Sequence, residues 1–75
     1  MIDINSLSWN ERLRLLRAVK DWSQEKAADM CGTQQKTYWD WEKGKRFPHK
    51  NNRKAIANAF GVTEADIFGE SLKGA

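Results

Sequence analysis

The sequence predicts an all-α domain of five short helices, and three observations carry that expectation. Apolar residues recur at helical spacing, with almost no strict alternation of apolar and polar positions. Capping residues and glycines punctuate the chain at short intervals, and the single proline, Pro48, falls between helical stretches. The 75 residues are 40% hydrophobic and 31% charged, which suits one globular unit rather than a disordered tail. The expected organisation is a single domain over 1–75, with a core at about 9–68 and a flexible C-terminal tail at about 70–75.

The elements follow in order. Ser8 with Glu11 three residues on reads as a capping box opening a first helix from Trp9 to about Asp21. Trp9, Leu13, Leu15, Leu16, Val19 and Trp22 spread over one broad face of it, enough to meet a core. Ser23 is a good N-cap for a second helix, Gln24 to Met30, with Glu25 near its positive end. Ala27 and Ala28 leave little bulk, so another helix can approach closely, and Gly32 supplies the stop. A third helix is expected over 34–43, ended by Gly44. A basic loop from Lys45 to Asn51 leads to a fourth helix, Asn52 to Phe60, burying Ala55, Ile56, Ala59 and Phe60 before Gly61. Thr63 and Asp66 cap a fifth, Glu64 to Phe68, burying Ile67 and Phe68.

Charge is distributed unevenly. The chain carries a net +3, yet between Lys36 and Lys54 seven basic residues face only Asp40 and Glu42. The remainder holds six basic and eight acidic residues. Such a concentration is the footprint of a polyanion-binding surface, although a solvated basic face gives the same pattern. Other classes find little support. No apolar run approaches the roughly 20 residues of a membrane span, and no signal peptide is read, so a cytoplasmic location is expected. Cys31 alone forms no internal disulfide or metal site and reads as a small core residue. With one histidine (His49, in the basic loop), no paired acids and no glycine-rich phosphate loop, no catalytic site, metal, cofactor or small-molecule ligand is expected.

The third helix holds the most information. On a helical wheel, Gln34, Thr37, Tyr38, Trp41 and, marginally, Glu42 share one side. Gln35, Lys36, Trp39, Asp40 and Lys43 share the other. Glutamine can pair bidentately with adenine and lysine can donate to guanine, and both stand in the first turn, where a recognition helix meets base edges. A short capped helix, a glycine turn, an amphipathic helix and a basic loop together make the layout of a helix-turn-helix.

The run Ser23-Gln24-Glu25-Lys26-Ala27-Ala28, then Gly32, then Trp41-Glu42-Lys43-Gly44-Lys45-Arg46-Phe47-Pro48, resembles the lambda-repressor/Cro-like helix-turn-helix family. Ala57-Asn58-Ala59-Phe60-Gly61-Val62 matches a later element of its pattern, and the resemblance covers roughly Leu13 to Phe68. It departs at Cys31, Thr33 and Tyr38, where that family usually carries aliphatic residues. The resemblance implies a sequence-specific transcriptional regulator, a repressor, reading double-stranded operator DNA through the third helix. Gln34, Gln35 and Lys36 would be the main base readers, with Trp39 and Asp40 placed for further contacts. Gln24, Lys43, Lys45 and Arg46 would hold phosphates, and Arg17 would pair with Glu42 in a structural salt bridge.

Trp39 stays open on sequence grounds. It could pack on a thymine methyl or sugar, anchor a protein partner in an interaction module built on the same fold, or sit half-buried. A homodimer is expected, since symmetry doubles the contacts of so small a reader. Its surface is placed around Ile67, Phe68 and Leu72, with Ile2, Ile4 and Leu7 as further contributors.

Overall fold

The computed structural model describes residues 6–72 and contains the five expected helices. They are α1 (Trp9–Val19), α2 (Gln24–Cys31), α3 (Gln35–Glu42), α4 (Lys50–Phe60) and α5 (Glu64–Phe68), the last followed by a 3-10 helix, Gly69–Leu72. Among the described residues there is no strand, and no helix is long and apolar enough to cross a membrane.

The caps fall where the side chains demand them. Glu11 reaches back to accept from the Ser8 amide (3.0 Å) and hydroxyl (2.8 Å), opening α1. The Ser23 hydroxyl accepts from the Lys26 amide at 3.0 Å, opening α2. Thr63 and Asp66 exchange two bonds of 3.1 Å at the start of α5. α1 ends two residues earlier than the apolar pattern suggests. Asp21 adopts a left-handed backbone (φ 58°), and the Trp22 amide donates to the Arg17 carbonyl at 3.1 Å. The chain thereby turns back, and the Trp22 ring packs 5.5 Å from that of Phe60. α4 starts two residues earlier than expected, because its first turn is polar and leaves no apolar period to detect.

One core joins all five helices: Leu13 of α1, Ala27, Ala28 and Cys31 of α2, Tyr38 and Trp41 of α3, Ile56 and Phe60 of α4, Ile67 and Phe68 of α5. α2 packs on α3 and α4, α1 on α3 and α5, and α4 on α5. The small side chains of Ala27 and Ala28 let α2 approach both neighbours. On α4 the deeply buried alanine is Ala57, while Ala55 and Ala59 are half-buried.

The expected burial of Ile67 and Phe68 is present, and it corrects their placement at a dimer surface. Ile67 and Phe68 are 0% and 1% exposed within one copy of the chain, so they cannot form a dimer surface. Each stabilises the monomer by about 1.5–3 kcal/mol through burial of its side chain. Leu72, within the expected tail, packs against the same core from the 3-10 helix. Ile2 and Ile4 lie outside the described residues, as do 73–75.

Candidate nucleic-acid interface

The site is built by clamping one end of α3 and leaving the other outward. Glu42, in its last turn, is buried, and Arg17 of α1 holds its carboxylate through Nε–Oε2 (2.5 Å) and Nη2–Oε1 (3.1 Å). Gln24, the first residue of α2, donates to the same carboxylate at 3.4 Å. Asn10 donates to the Glu42 carbonyl at 3.2 Å, satisfying a helix-terminal acceptor. Burial by itself disfavours the charged form of Glu42. The hydrogen bonds and charge of Arg17 outweigh it and hold the carboxyl below its ordinary range. The salt bridge expected from sequence is thus present, and it ties α1 and the start of α2 to the end of α3.

At the other end of α3, Gln34 is the N-cap, and Gln34, Gln35 and Lys36 are all exposed. Trp39 follows one turn later, half-buried, and shares an open concavity with Gln35 and Lys36. Three ammonium groups gather about its indole: Lys36, Lys43 and Lys45 Nζ stand 5.2, 5.4 and 4.7 Å from the ring centroid. Cations at this range are attracted by the negative face of the ring.

The loop after α3 supplies part of that cluster. Gly44 takes φ 75°, and the Lys45 amide donates to the Asp40 carbonyl at 2.9 Å, so the chain folds back beside the helix it has just left. Phe47 then anchors the loop, packing 5.2 Å from Trp9 and 5.5 Å from Phe68. Pro48 beside it is buried. Lys45 and Arg46 are therefore held near α3 on a short, fixed segment. The helical wheel gave no sign of this, since the aromatic anchor lies outside every helix.

Asp40 departs from its expected setting. Its residue exposure is only 8%, and its carboxylate accepts from Lys36 at 2.8 Å and lies 3.9 Å from Arg46. The Lys36 hydrogen bond, against some desolvation, holds its carboxyl below the usual range. In this state Asp40 is occupied by two of the cations expected to meet DNA.

A second recess, lined by Arg14, Arg17, Gln24, Glu42 and Lys43, lies at the start of α2. Gln24 and Lys43 are expected on phosphates from the sequence; Arg14, which shares the recess with them, is not among the expected residues. The available signal was its position three residues before Arg17, one helical turn along α1. Cys31 is core, as expected, and burial pushes its thiol up to about 11. Among the described residues no three His, Cys, Asp or Glu side chains gather into a metal-holding group.

Comparison with known proteins agrees with this architecture. The helix-turn-helix domain family matches residues 10–69. The HTH-type transcriptional activator BcrR of Enterococcus faecalis is 33% identical over 67 residues, which cover 88% of this chain. The match takes in 33% of that relative, so the chain spans about a third of its length. The crystal structure of the restriction-modification controller protein C.AhdI from Aeromonas hydrophila superposes with a TM-score of 0.76 at 30% identity, covering 80% of this chain and 91% of that one. With its capped α2, glycine turn and outward-facing α3, the chain belongs to the helix-turn-helix family of transcription regulators.

Proposed function

We propose that the chain is a sequence-specific DNA-binding regulator of transcription, acting in the cytoplasm as a homodimer on an operator with two related half-sites. The observation that carries this reading is the polarity of α3. Its C-terminal end is locked into the core by Arg17 and Glu42, while Gln35 and Lys36 project from an exposed first turn beside a cationic loop. An α-helix fits the major groove of B-DNA, and the first turn is the part that meets base edges.

Gln34, Gln35 and Lys36 take the roles of base readers. Lys45 and Arg46 hold phosphates on one side of α3, with Lys43 between them and the recess at the start of α2. Gln24 and Arg14, with the amides at the start of α2, hold phosphate at the recess on the other. Asp40 is reassigned from base contact to positioning: it fixes Lys36 and Arg46 before DNA arrives. Two copies bound about 34–36 Å apart would repress wherever the operator overlaps a promoter.

Selection from a pool of random duplexes tests the reading, comparing the native protein with the double variant Gln35→Ala, Lys36→Ala. The native protein is expected to enrich a two-fold-related motif and the variant, with unchanged helical circular dichroism, to lose it. A motif retained in full by the variant would remove α3 as the reader.

A further inference from the structure

We propose that Trp39 is a specificity-determining residue that recognises the C5-methyl group of a pyrimidine in the major groove. The inference rests on the reading of α3 as the DNA-facing helix and deepens it by naming the chemical group at its centre.

The outer face of α3 is polar at Gln35 and Lys36 and cationic along the following loop, with one exception. One of the four tryptophans of the sequence, Trp39, stands in the middle of it, half-exposed. Trp39 is not needed to complete the core, whose α3 members are Tyr38 and Trp41. The ammonium groups of Lys36, Lys43 and Lys45 stand within 5.4 Å of its ring centroid, on a helix clamped to α1. The ring is thus a half-exposed apolar surface among three cations, and it borders a concavity with Gln35 and Lys36.

On a duplex, the ammonium groups seek phosphates and base acceptors, and an apolar surface between them meets the groove floor. The floor of the major groove presents acceptors, amino donors and a single apolar feature, the C5-methyl group. That group belongs to thymine, and 5-methylcytosine presents it identically. Gln35, one helical turn before Trp39, suits adenine N6 and N7. The two side chains together therefore fit A·T pairs, glutamine on the purine and indole on the methyl. A protein partner on the same ring would have to bring carboxylates to pair three ammonium groups, whereas a duplex presents phosphates on both sides of the groove.

The test uses the duplex selected by the native protein. Each thymine is replaced singly by deoxyuridine, and each cytosine by 5-methylcytosine, and binding is titrated with native protein, Trp39→Ala and Trp39→Leu. Trp39→Leu keeps an apolar side chain and guards against misreading a folding defect. Native protein is expected to show one pyrimidine per half-site whose methyl group changes affinity by about four-fold, the worth of burying one methyl-sized group. Trp39→Ala should bind the two forms equally, and Trp39→Leu should retain part of the difference. Loss with deoxyuridine identifies thymine as the source, and gain with 5-methylcytosine identifies the modified base. No methyl-dependent position, or a dependence that survives in Trp39→Ala, overturns the proposal while leaving α3 as the reader. Failure to select any motif removes the reader itself and the proposal with it.

Discussion

Replacing Glu42 with glutamine removes one charge from the centre of the fold while keeping size and hydrogen-bonding capacity. Glu42 has a side-chain exposure of 3%, and its partner Arg17 has 21%. Breaking one half of a buried pair costs about 3–5 kcal/mol, because the remaining charge is left uncompensated. Arg17 keeps a fifth of its surface in water and retains its bond to the Trp22 carbonyl (3.1 Å), so the expected loss is about 2–3 kcal/mol. For a domain of this size that lowers the melting temperature by roughly 10–20 °C. The pH dependence gives an independent reading. Glu42 ionises below its ordinary value in the folded chain, so its contribution is fully present above about pH 4.5 and is lost as pH falls through the lower folded value. The gap in melting temperature between native protein and Glu42→Gln should therefore be widest near neutrality and should narrow in acid. Thermal unfolding followed by circular dichroism at several pH values measures both quantities. A gap of only a degree or so near pH 7, or one that stays constant into acid, would refute the claim that this pair fastens α3 to α1.

Three further outcomes follow from the same geometry. Arg46→Ala should weaken binding to specific and random duplexes alike, and in a dimer should flatten the slope of log affinity against log salt by about 1.8, measured by fluorescence anisotropy. Asp40→Asn, by releasing Lys36 and Arg46 and removing a charge that repels phosphate, should tighten binding to random duplex and shrink the ratio of specific to non-specific affinity. Gly32→Ala should destabilise by about 1 kcal/mol in urea unfolding: the position holds φ 71°, which an L-residue adopts at a cost, although nothing stands within 4 Å of an added Cβ.

The parts of the structure legible in the sequence were those fixed by neighbours in the chain. Ser8 with Glu11, Ser23, Gly32, Gly61 and Thr63 with Asp66 act over three or four residues, and the helices they bound lie close to their expected limits. The Arg17–Glu42 bridge was legible for a different reason: it came from the family resemblance rather than from spacing. What escaped depended on residues brought together from afar. The sequence placed Ile67 and Phe68 both in the core under the fifth helix and at a dimer surface, and the packing of α1 and α4 on α5 keeps the first reading and removes the second. The wheel set Asp40 outward. Its near-burial arises from Lys36 on its own helix together with Arg46, returned by the turn at Gly44 and the Phe47 anchor. Arg14 was overlooked because its significance lies in the recess it shares with Gln24 and Lys43, on two other elements.

The central claim, that the outer face of α3 and the loop after it meet DNA, is tested most directly by NMR titration of the labelled protein with duplex DNA at low salt. The expected perturbations cluster on the side chains of Gln35, Lys36 and Trp39 and on Lys43, Lys45, Arg46 and Gln24. Perturbations confined to the far surfaces of α4 and α5, with Gln35 and Trp39 unmoved, would contradict it.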